Sequence, residues 1–459
     1  MKVPTMKNRL KHKSILRIWV LMFAFGAISC SQNSRQIAPV HDNAGILFAN
    51  PEDVASSISL EQILSISEFL SRPENKFKIQ FPGAETQFAW KHMSRFFPTA
   101  QVLRGGKIHE LPYAIQPAIG DISYKNSSGK SFTVNSHFEQ FPIDAMVIVK
   151  DGKIVYERYK TMRPEDRHIW FSASKILGST ILLELEEEGK IDINKPVTFY
   201  LKELSGTVWD SVKVVEALNM ATGLNGTEHD EPTKDSRINP EQIWFRWAAT
   251  LGLAPQPEFA NNTWVDVLRG MERRKPAFTA FEYNSINTFI VNRIVERAEN
   301  KTLADLLSER IWSKLGMEHD AYMVISPSGL SLGFFGMNST LRDMARYGML
   351  YTPSSSTITN EQILTPEMIR KMQKGTHPEM YTQGFVGQMM QRSFPDETGL
   401  TNNYQWDAVF TDGDMFKSGV GGQGLYVSPA TNMVVAWFST GTGKNQEETM
   451  ARAIVKSLK

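Results

Sequence analysis

The pattern of apolar and polar positions becomes regular from Asp144 onward and predicts a strand hairpin followed by a helix. Residues 145–149 are continuously apolar, the dipeptide Asp151-Gly152 tolerates the positive φ of a tight turn, and residues 154–156 are apolar again. Residues 175–188 have their apolar positions at helical spacing and are followed by a glycine. This stretch therefore predicts two antiparallel strands that lead through a loop into a helix.

Helical patterns fill the middle of the chain, and strand patterns return near its end. Thr302 and Thr340 each open a capping pattern with an aspartate three residues later, and Asp210 is a candidate N-cap for a helix over residues 211–221. Apolar strand patterns interrupted by one turn then occupy residues 424–440, and a last helical pattern follows. Helices segregated from an antiparallel sheet predict an α+β fold rather than a doubly wound sheet.

The composition is that of a globular protein and excludes several classes of site. The chain has 459 residues, of which 41% are hydrophobic and 22% are charged, close to the average for globular domains. It contains one cysteine, which excludes a disulfide framework, a cysteine-based zinc site and an iron–sulfur site within a single chain. No run of 18 apolar residues occurs, so a polytopic membrane protein is excluded as well.

The first thirty residues predict export and lipid attachment. A basic leader without acidic residues precedes an apolar run at 18–28, which is too short to span a bilayer but suits the core of a secretory signal. The sequence Ala27-Ile28-Ser29-Cys30 follows directly and resembles the lipobox of bacterial lipoproteins, in which the cysteine is lipidated. We therefore expect a membrane-attached protein with its lipid on Cys30. An ordinary cleaved signal peptide or a short anchor is the alternative.

The charge balance agrees with an envelope location. Removal of residues 1–29 takes away six basic residues, which changes the net charge from +1 to −5. A mildly acidic protein lacks the basic surface that nucleic-acid binding requires, so no nucleic-acid partner is expected. The predicted location is the bacterial cell envelope, reached by secretion across the inner membrane.

The strongest chemical signal is the pair Ser172 and Lys175, which lie three residues apart where a loop enters the predicted helix. A helix places positions i and i+3 on one face, so the amine can act as base for the hydroxyl if its pKa is lowered. The helix N-terminus also offers backbone N–H groups to an oxyanion. A second Ser-x-x-Lys match, Ser127 to Lys130, lies in a turn where nothing fixes the pair, and we interpret it as structural.

Two later motifs strengthen the interpretation of Ser172. Tyr283-Asn284-Ser285 precedes a strong helical pattern, which leaves the Tyr283 phenol on a fixed loop edge. Lys417-Ser418-Gly419 is followed by two more glycines and then by a strand, so that a substrate could approach the backbone closely.

These three motifs, in this order, resemble those of the serine hydrolases with the β-lactamase and penicillin-binding-protein fold. The similarity is greatest to the class C β-lactamase-related branch, which includes esterases and 6-aminohexanoate-dimer hydrolases. It covers about residues 140–459. The expected fold is thus β-lactamase/transpeptidase-like, an antiparallel sheet flanked by helices. The expected organisation is a lipoprotein signal peptide (1–29), a tether (30–40), an N-terminal extension (41–135) and a hydrolase domain (136–459) with a mostly helical insert at about 191–325.

The resemblance implies a role for each matched residue. Ser172 would be the acyl-forming nucleophile, Lys175 its base, and Tyr283 a proton-transfer group. The backbone N–H groups of Ser172 and Val420 would form the oxyanion hole, and Lys417 would help to keep Lys175 neutral. The remaining substrate-binding candidates are Gly419, Ser285 and Gln423. This chemistry needs no cofactor or metal.

One departure from the family pattern bears on the substrate. β-Lactamases usually have Tyr-x-Asn, whereas here the third residue is Ser285. This favours hydrolysis of a small-molecule ester or linear amide, by an esterase or amidase, over hydrolysis of penicillin. The alternatives are a cell-wall D-Ala-D-Ala-type peptidase acting on a peptide, or a β-lactamase, and a non-catalytic envelope binding protein of the same fold.

Three further signals compete with this interpretation. Gly329-Leu330-Ser331-Leu332-Gly333 matches the nucleophile-elbow pattern, but no helix pattern follows at once. The clusters at 228–231 and 318–320 contain His and acidic residues, yet solvated loops are the simpler interpretation. Trp244 and Trp247 either belong to the core or line an acyl pocket.

Overall fold

The computed structural model describes residues 40–41, 47–48, 58–232, 236–255, 262–375, 377–441 and 446–459. The predicted signal peptide and Cys30 lie outside the described residues, as does nearly all of the predicted tether. The helices of the described residues include none that is both long and apolar enough to cross a membrane.

The described strands form one large sheet and two small ones. In chain order the strands are β1 (Val40–His41), β2 (Leu47–Phe48), β3 (Thr99–Val102), β4 (Ser123–Lys125), β5 (Ser131–Thr133), β6 (Ile143–Lys150), β7 (Lys153–Tyr159), β8 (His168–Ile169), β9 (Ala321–Val324), β10 (Met337–Ser339), β11 (Thr401–Asn403), β12 (Trp406–Val409), β13 (Met415–Gly419), β14 (Gln423–Ser428) and β15 (Met433–Ser439). The large sheet has the order β1-β2-β7-β6-β15-β14-β13-β12-β11 among these residues. Its pairs are antiparallel except β2 with β7.

The hairpin predicted around Asp151 forms two neighbouring inner strands of this sheet, β6 and β7. Asp151 and Gly152 have φ of 50° and 73°, which the tight turn between β6 and β7 requires. Along β6 the side chains alternate between two separate apolar cores: Val147 packs into one core and Ile148 into the other. The strand is continuously apolar because both faces of the sheet are covered.

Helices cover both faces of the sheet and fill the interval between β8 and β9. In chain order they are α1 (Leu60–Ser71), α2 (Ala84–Trp90), α3 (Val134–Gln140), α4 (Lys175–Glu187), α5 (Val197–Tyr200), α6 (Val214–Leu218), α7 (Ile243–Thr250), α8 (Trp264–Arg269), α9 (Ser285–Glu299), α10 (Leu303–Leu307), α11 (Leu341–Met349), α12 (Pro366–Gln373), α13 (Pro378–Tyr381), α14 (Phe385–Ser393) and α15 (Glu447–Ser457). Helix α11 packs on β6 and β15, and α15 packs on β14. The α+β class and the predicted helical middle are therefore confirmed.

The predicted helix over residues 211–221 is wrong. The structure has a 3₁₀ turn at Val208–Ser211 and a short α6 at Val214–Leu218. Asp210 instead accepts a hydrogen bond from the backbone N–H of Gly206 at 2.8 Å. Its carboxylate thus stabilises a turn, in competition with the helix cap that the pattern predicted.

A four-stranded sheet joins the N-terminal extension to the rest of the chain. Its order is β3-β9-β10-β8, so a strand of the extension pairs along its whole length with β9. Strand β8 leads directly into the turn that carries Ser172. The boundary predicted at residue 136 stays a prediction.

Candidate active site

Ser172 lies in a strained turn at the N-terminus of helix α4. Residues Phe171–Ser174 form a 3₁₀ turn that runs into the helix, and Phe171 has a φ of 47°. A bulky residue with positive φ is held there by its surroundings. The Phe171 ring meets the edge of the Trp90 ring at a centroid distance of 4.8 Å. The turn presents the Ser172 hydroxyl to a cavity that Lys175 also lines.

Lys175 is buried and bound as a neutral amine would be. Its side chain is 1% exposed, and its Nζ donates to the Ser285 Oγ and to the carbonyl of Phe334, both at 2.8 Å. Burial lowers the pKa of Lys175 to about 7; the negative charge of Glu228 opposes this effect and the positive charge of Lys417 adds to it. A neutral amine has two N–H donors and one lone pair. Both donors are used, and the lone pair is left for a proton.

Tyr283 connects the nucleophile with a second lysine. The Tyr283 phenol lines the same two cavities as Ser172, and the Nζ of Lys417 donates to the phenol oxygen at 3.3 Å. Burial and the negative charges of Asp407 and Glu228 raise the pKa of Tyr283 well above its ordinary value. Tyr283 is therefore a protonated phenol at neutral pH, able to donate or relay a proton.

Asp407 pairs with Lys417 in the interior. The carboxylate of Asp407 forms a short ion pair with Nζ of Lys417, and its other oxygen accepts from the backbone N–H of Ser418 at 3.0 Å. Both side chains are at most 1% exposed, and a buried cation needs such a partner. The sequence analysis did not identify Asp407; a charged residue inside the apolar strand β12 was the only available signal.

The end of strand β13 lies against the nucleophile turn. A Cβ on Gly419 would stand 2.3 Å from the carbonyl oxygen of Trp170, so only glycine allows this approach. Val420 follows and lines the same cavity as Ser172. Gln423 is buried and bonds backbone groups only, the carbonyls of Val420 and Ser439 and the N–H of Ser439, and thereby fixes the position of Val420.

Ser285 is the first residue of helix α9 and bridges Lys175 to Glu228. Its hydroxyl accepts from Lys175 and makes a short hydrogen bond to Oε1 of Glu228. Its backbone N–H also donates to the Glu228 carboxylate, at 3.0 Å to Oε2. Glu228 is 5% exposed, and burial raises its pKa while Lys175 and Ser285 oppose that rise.

The interpretation of residues 228–231 as a solvated loop is wrong. Glu228 and Glu231 are both buried, and Glu231 binds the guanidinium of Arg274 at 2.9 Å. No local signal distinguished them from exposed acids. Among the described residues, no group of three or more His, Cys, Asp or Glu side chains is arranged to hold a metal ion.

The other competing serines lack the surroundings of Ser172. Ser331 is 2% exposed and borders neither of the two cavities at Ser172. Its glycine-rich segment instead leads to Phe334, whose carbonyl binds Lys175. Ser127 borders the larger cavity but lies in the exposed turn between β4 and β5, where its backbone N–H donates to Gln446 at 2.8 Å.

Two cavities meet at the nucleophile. The smaller has a volume of about 70 Å³ and apolar walls from Trp244, Leu253, Phe334 and Phe335. The larger has a volume of about 650 Å³ and extends from Val420 along β13 towards helices α14 and α15. Ser172, Tyr283 and Val420 line both cavities, so a substrate can lie across the nucleophile with one part in each.

The N-terminal extension contributes to these cavities. Ile79 lines the smaller cavity and Gln80 lines both. Trp90 donates from Nε1 to the carbonyl of Ile79 at 2.7 Å and packs on the Phe171 ring. A Cβ on Gly421 would stand 2.2 Å from the Trp90 ring. Trp90 is thus wedged between the nucleophile turn and the loop after β13.

Comparison with known proteins agrees with this geometry. The β-lactamase family profile matches residues 134–458. The 6-aminohexanoate-dimer hydrolase of Paenarthrobacter ureafaciens is 26% identical over 309 residues, which covers 67% of this chain and 75% of that protein. A β-lactamase of Providencia stuartii is 23% identical over 300 residues, covering 58% and 68%.

Solved structures show the same fold. The structure of a candidate 6-aminohexanoate-dimer hydrolase from Bacillus anthracis matches with a TM-score of 0.70 and 23% identity, over 84% of this chain and 96% of that one. EstCE1, a hydrolase with promiscuous acyltransferase activity, matches with a TM-score of 0.53 and 14% identity, over 71% and 96%. The fold is therefore β-lactamase/transpeptidase-like, as the motifs implied, and the chain belongs to the β-lactamase family as one of its serine hydrolases.

Proposed function

We propose that this protein hydrolyses an ester or linear amide of a small molecule through an acyl-enzyme on Ser172, with Lys175 as the general base. The observation that carries the proposal is the environment of Lys175. Burial lowers its pKa to about 7, and its two amine N–H groups are bound by Ser285 and Phe334. A lysine in this state can take the proton of the Ser172 hydroxyl.

The other matched residues complete the reaction. The Ser172 Oγ attacks the carbonyl carbon, and the backbone N–H groups of Ser172 and Val420 stabilise the oxyanion. Tyr283 relays the proton to the leaving alcohol or amine, and Lys417 holds the phenol in position from 3.3 Å. Water then attacks the acyl-enzyme, with the same groups acting in reverse, and releases the acid.

The shape of the site favours a small apolar acyl group. One side of the smaller cavity is apolar, formed by Trp244, Leu253, Phe334 and Phe335, and the larger cavity leaves room for an extended leaving group. The relative in Paenarthrobacter ureafaciens is a 6-aminohexanoate-dimer hydrolase, which supports a linear amide as one substrate class.

The first test is covalent labelling followed by turnover. Purified protein is mixed with a fluorophosphonate and, separately, with a p-nitrophenyl ester, and its intact mass and nitrophenol release are recorded. We expect a stoichiometric adduct and turnover in the wild type and neither in Ser172→Ala. Ser331→Ala and Ser127→Ala are the matched controls and keep both. An adduct in Ser172→Ala would contradict the choice of nucleophile.

Labelling with further serine-directed probes separates the alternatives. Stable acylation by a fluorescent penicillin, or its hydrolysis, would favour a D-Ala-D-Ala-type peptidase or a β-lactamase; one relative is a β-lactamase of Providencia stuartii. Absence of labelling by every serine-directed probe would favour a binding protein of the same fold.

We also propose that Cys30 carries a lipid that attaches the protein to the bacterial envelope after export. The basis is the apolar run at 18–28 and the sequence Ala27-Ile28-Ser29-Cys30. Metabolic labelling with a fatty-acid analogue should mark the wild type and spare Cys30→Ser. Labelling of both proteins would contradict the proposal.

A further inference from the structure

Glu228 is a buried acid that the mechanism above does not use. It comes from the loop after α6, and its carboxylate reaches Ser285, which is 57 residues further along the chain. It also lines the smaller cavity together with Ser172 and Lys175. Its negative charge is stabilised by three donated hydrogen bonds, one from the Ser285 hydroxyl and two from the Ser285 backbone N–H, which is shared between the two oxygens.

We propose that Glu228 is a positioning residue that fixes the direction of the hydrogen bond between Ser285 and Lys175, and so keeps the lone pair of Lys175 for Ser172. The inference rests on the proposed function of Lys175 as general base. The proposal concerns the orientation of a single hydrogen, that of the Ser285 hydroxyl.

The argument begins with the number of donors and acceptors. A serine hydroxyl has one hydrogen, and a carboxylate can only accept. The Ser285 hydrogen is therefore directed to Glu228, and Ser285 can only accept from Lys175. The Phe334 carbonyl is an acceptor as well. Both N–H groups of neutral Lys175 thus have acceptors, and its lone pair has no competing donor in this network.

Loss of the carboxylate charge at position 228 would allow the hydrogen bond between Lys175 and Ser285 to reverse its direction. The side-chain amide of a glutamine at position 228 can donate to the Ser285 oxygen while its carbonyl still accepts from the Ser285 N–H. The Ser285 hydrogen is then free to turn towards Lys175 and to occupy the lone pair. The base would be blocked by its own neighbour, although every heavy atom keeps its place.

The charge of Glu228 has a second effect, with a definite sign. The charged groups that face Lys175 are Glu228, Lys417 and Asp407, and Arg237 faces Glu228. The Tyr283 phenol and the His229 imidazole line the same cavity. Glu228 raises the pKa of Lys175 against the larger lowering by burial. Removal of its charge must therefore lower the pKa of Lys175 further.

The test compares Glu228→Gln with Glu231→Gln by kinetics on a p-nitrophenyl ester across pH. Glu231 is the matched control, since it is a buried carboxylate three residues away that binds Arg274 and Thr227 instead of the site. For Glu228→Gln we expect kcat to fall about 100-fold, as for loss of a general base, with KM within about twofold. We also expect the acidic limb of the kcat/KM profile to move to lower pH. Glu231→Gln should keep the wild-type rate and limb.

Ser285→Ala provides a second test, in which its remaining activity is compared with that of Glu228→Gln. In Ser285→Ala there is no hydroxyl to occupy the lone pair of Lys175. In Glu228→Gln the Ser285 hydroxyl turns and occupies it. Ser285→Ala should therefore retain more activity than Glu228→Gln. If Glu228 only supported Ser285 structurally, the order would be the opposite, because Ser285 contacts Lys175 directly. Wild-type kinetics in Glu228→Gln, a loss of rate with an unmoved limb, or the opposite order would each overturn the proposal.

Two controls keep the inference separate from the proposed function. Fluorophosphonate labelling of Ser172 in the wild type tests the proposed function. If labelling fails, both proposals are wrong. If it succeeds, the kinetics of Glu228→Gln alone decide the positioning role of Glu228. Should Glu228→Gln not fold, Glu228→Asp keeps the charge but shortens the reach to Ser285. We then expect a lower kcat with the acidic limb near its wild-type pH, and a wild-type kcat in this variant would overturn the proposal.

Discussion

Lys175 and Lys417 are both buried in the same site, yet their surroundings give them different roles. Burial lowers the pKa of Lys417, but its carboxylate partner Asp407 lies in direct contact and opposes that shift. Lys175 has only a hydroxyl and a carbonyl in direct contact, and its acid, Glu228, is one residue removed behind Ser285. Direct pairing favours the charged form and burial without it favours the neutral form. One lysine is therefore suited to hold charge and the other to accept a proton.

The pH dependence of activity follows from Lys175. The base must be neutral, and burial lowers the pKa of Lys175 to about 7. Activity should therefore be low below pH 7, rise through about pH 7 and then level off, because the raised pKa of Tyr283 keeps the phenol protonated in this range. The measurement is kcat/KM for a p-nitrophenyl ester between pH 5 and 9. A flat profile, or activity that rises towards acid, would contradict the assignment of the base.

At the scale of elements, helix α7 shows how one helix serves both the core and the site. Trp247 is fully buried and packs on the rings of Phe289 and Phe334, at centroid distances of 5.5 and 4.9 Å. Trp244 lies three residues earlier and lines the smaller cavity. Trp247 therefore belongs to the core, as one sequence-based alternative stated, and Trp244 belongs to the core and also lines the cavity. That an acyl group binds there stays a prediction.

A pair of substitutions in this helix tests the acyl cavity. Trp244→Phe removes one ring from the cavity wall. The kcat/KM for esters with longer acyl chains should therefore rise relative to that for the acetyl ester. We expect the ratio of kcat/KM for p-nitrophenyl hexanoate over acetate to rise about threefold to tenfold, the usual effect of added space in an apolar pocket. Trp247→Phe makes the same change in the core and should leave the ratio unchanged. An unchanged ratio in Trp244→Phe would show that the acyl group binds elsewhere.

At the scale of the whole molecule, the segment before the family match contributes to the candidate active site. The β-lactamase profile begins at residue 134, yet Ile79, Gln80 and Trp90 lie at or beside the cavities. Strand β3 ties this segment to β9 over four residue pairs. The N-terminal extension therefore lines the candidate active site, and we expect it to shape the binding of a substrate.

Two buried tryptophans allow this role to be measured. Trp90 and Trp209 are both fully buried, and each donates from Nε1 to a backbone carbonyl, of Ile79 at 2.7 Å and of Leu268 at 2.9 Å. Replacement of either by Phe should cost about 1–3 kcal/mol in the free energy of unfolding, since a buried acceptor loses its donor. Only Trp90→Phe should also lower kcat, because it supports Phe171. Equal kcat in the two variants, at similar losses of stability by urea unfolding, would show that the extension does not shape the site.

The sequence by itself determined the local parts of the site. Ser172 and Lys175 are three residues apart at the start of a helix, so helical geometry alone brings them together. The hairpin at Asp151 follows from the turn preference of the Asp-Gly pair. The role of Gly419 follows from the close approach to the backbone that a glycine beside a strand allows. The order of motifs along the chain was enough to indicate the family and the fold. Each motif by itself consists of residues within a few positions of one another.

Only the tertiary structure decided which distant groups surround the lysines. Ser285 meets Lys175 across 110 positions, and Glu228 meets Ser285 across 57. The acidic cluster at 228–231 has the composition of an exposed loop, and nothing local shows that packing will bury it. A carboxylate acquires its function from the donors around it and from its removal from water, and both are set by the packing of remote segments. For this reason the sequence predicted the nucleophile and its base, whereas only the folded chain showed the acid that we propose as a positioning residue for Lys175.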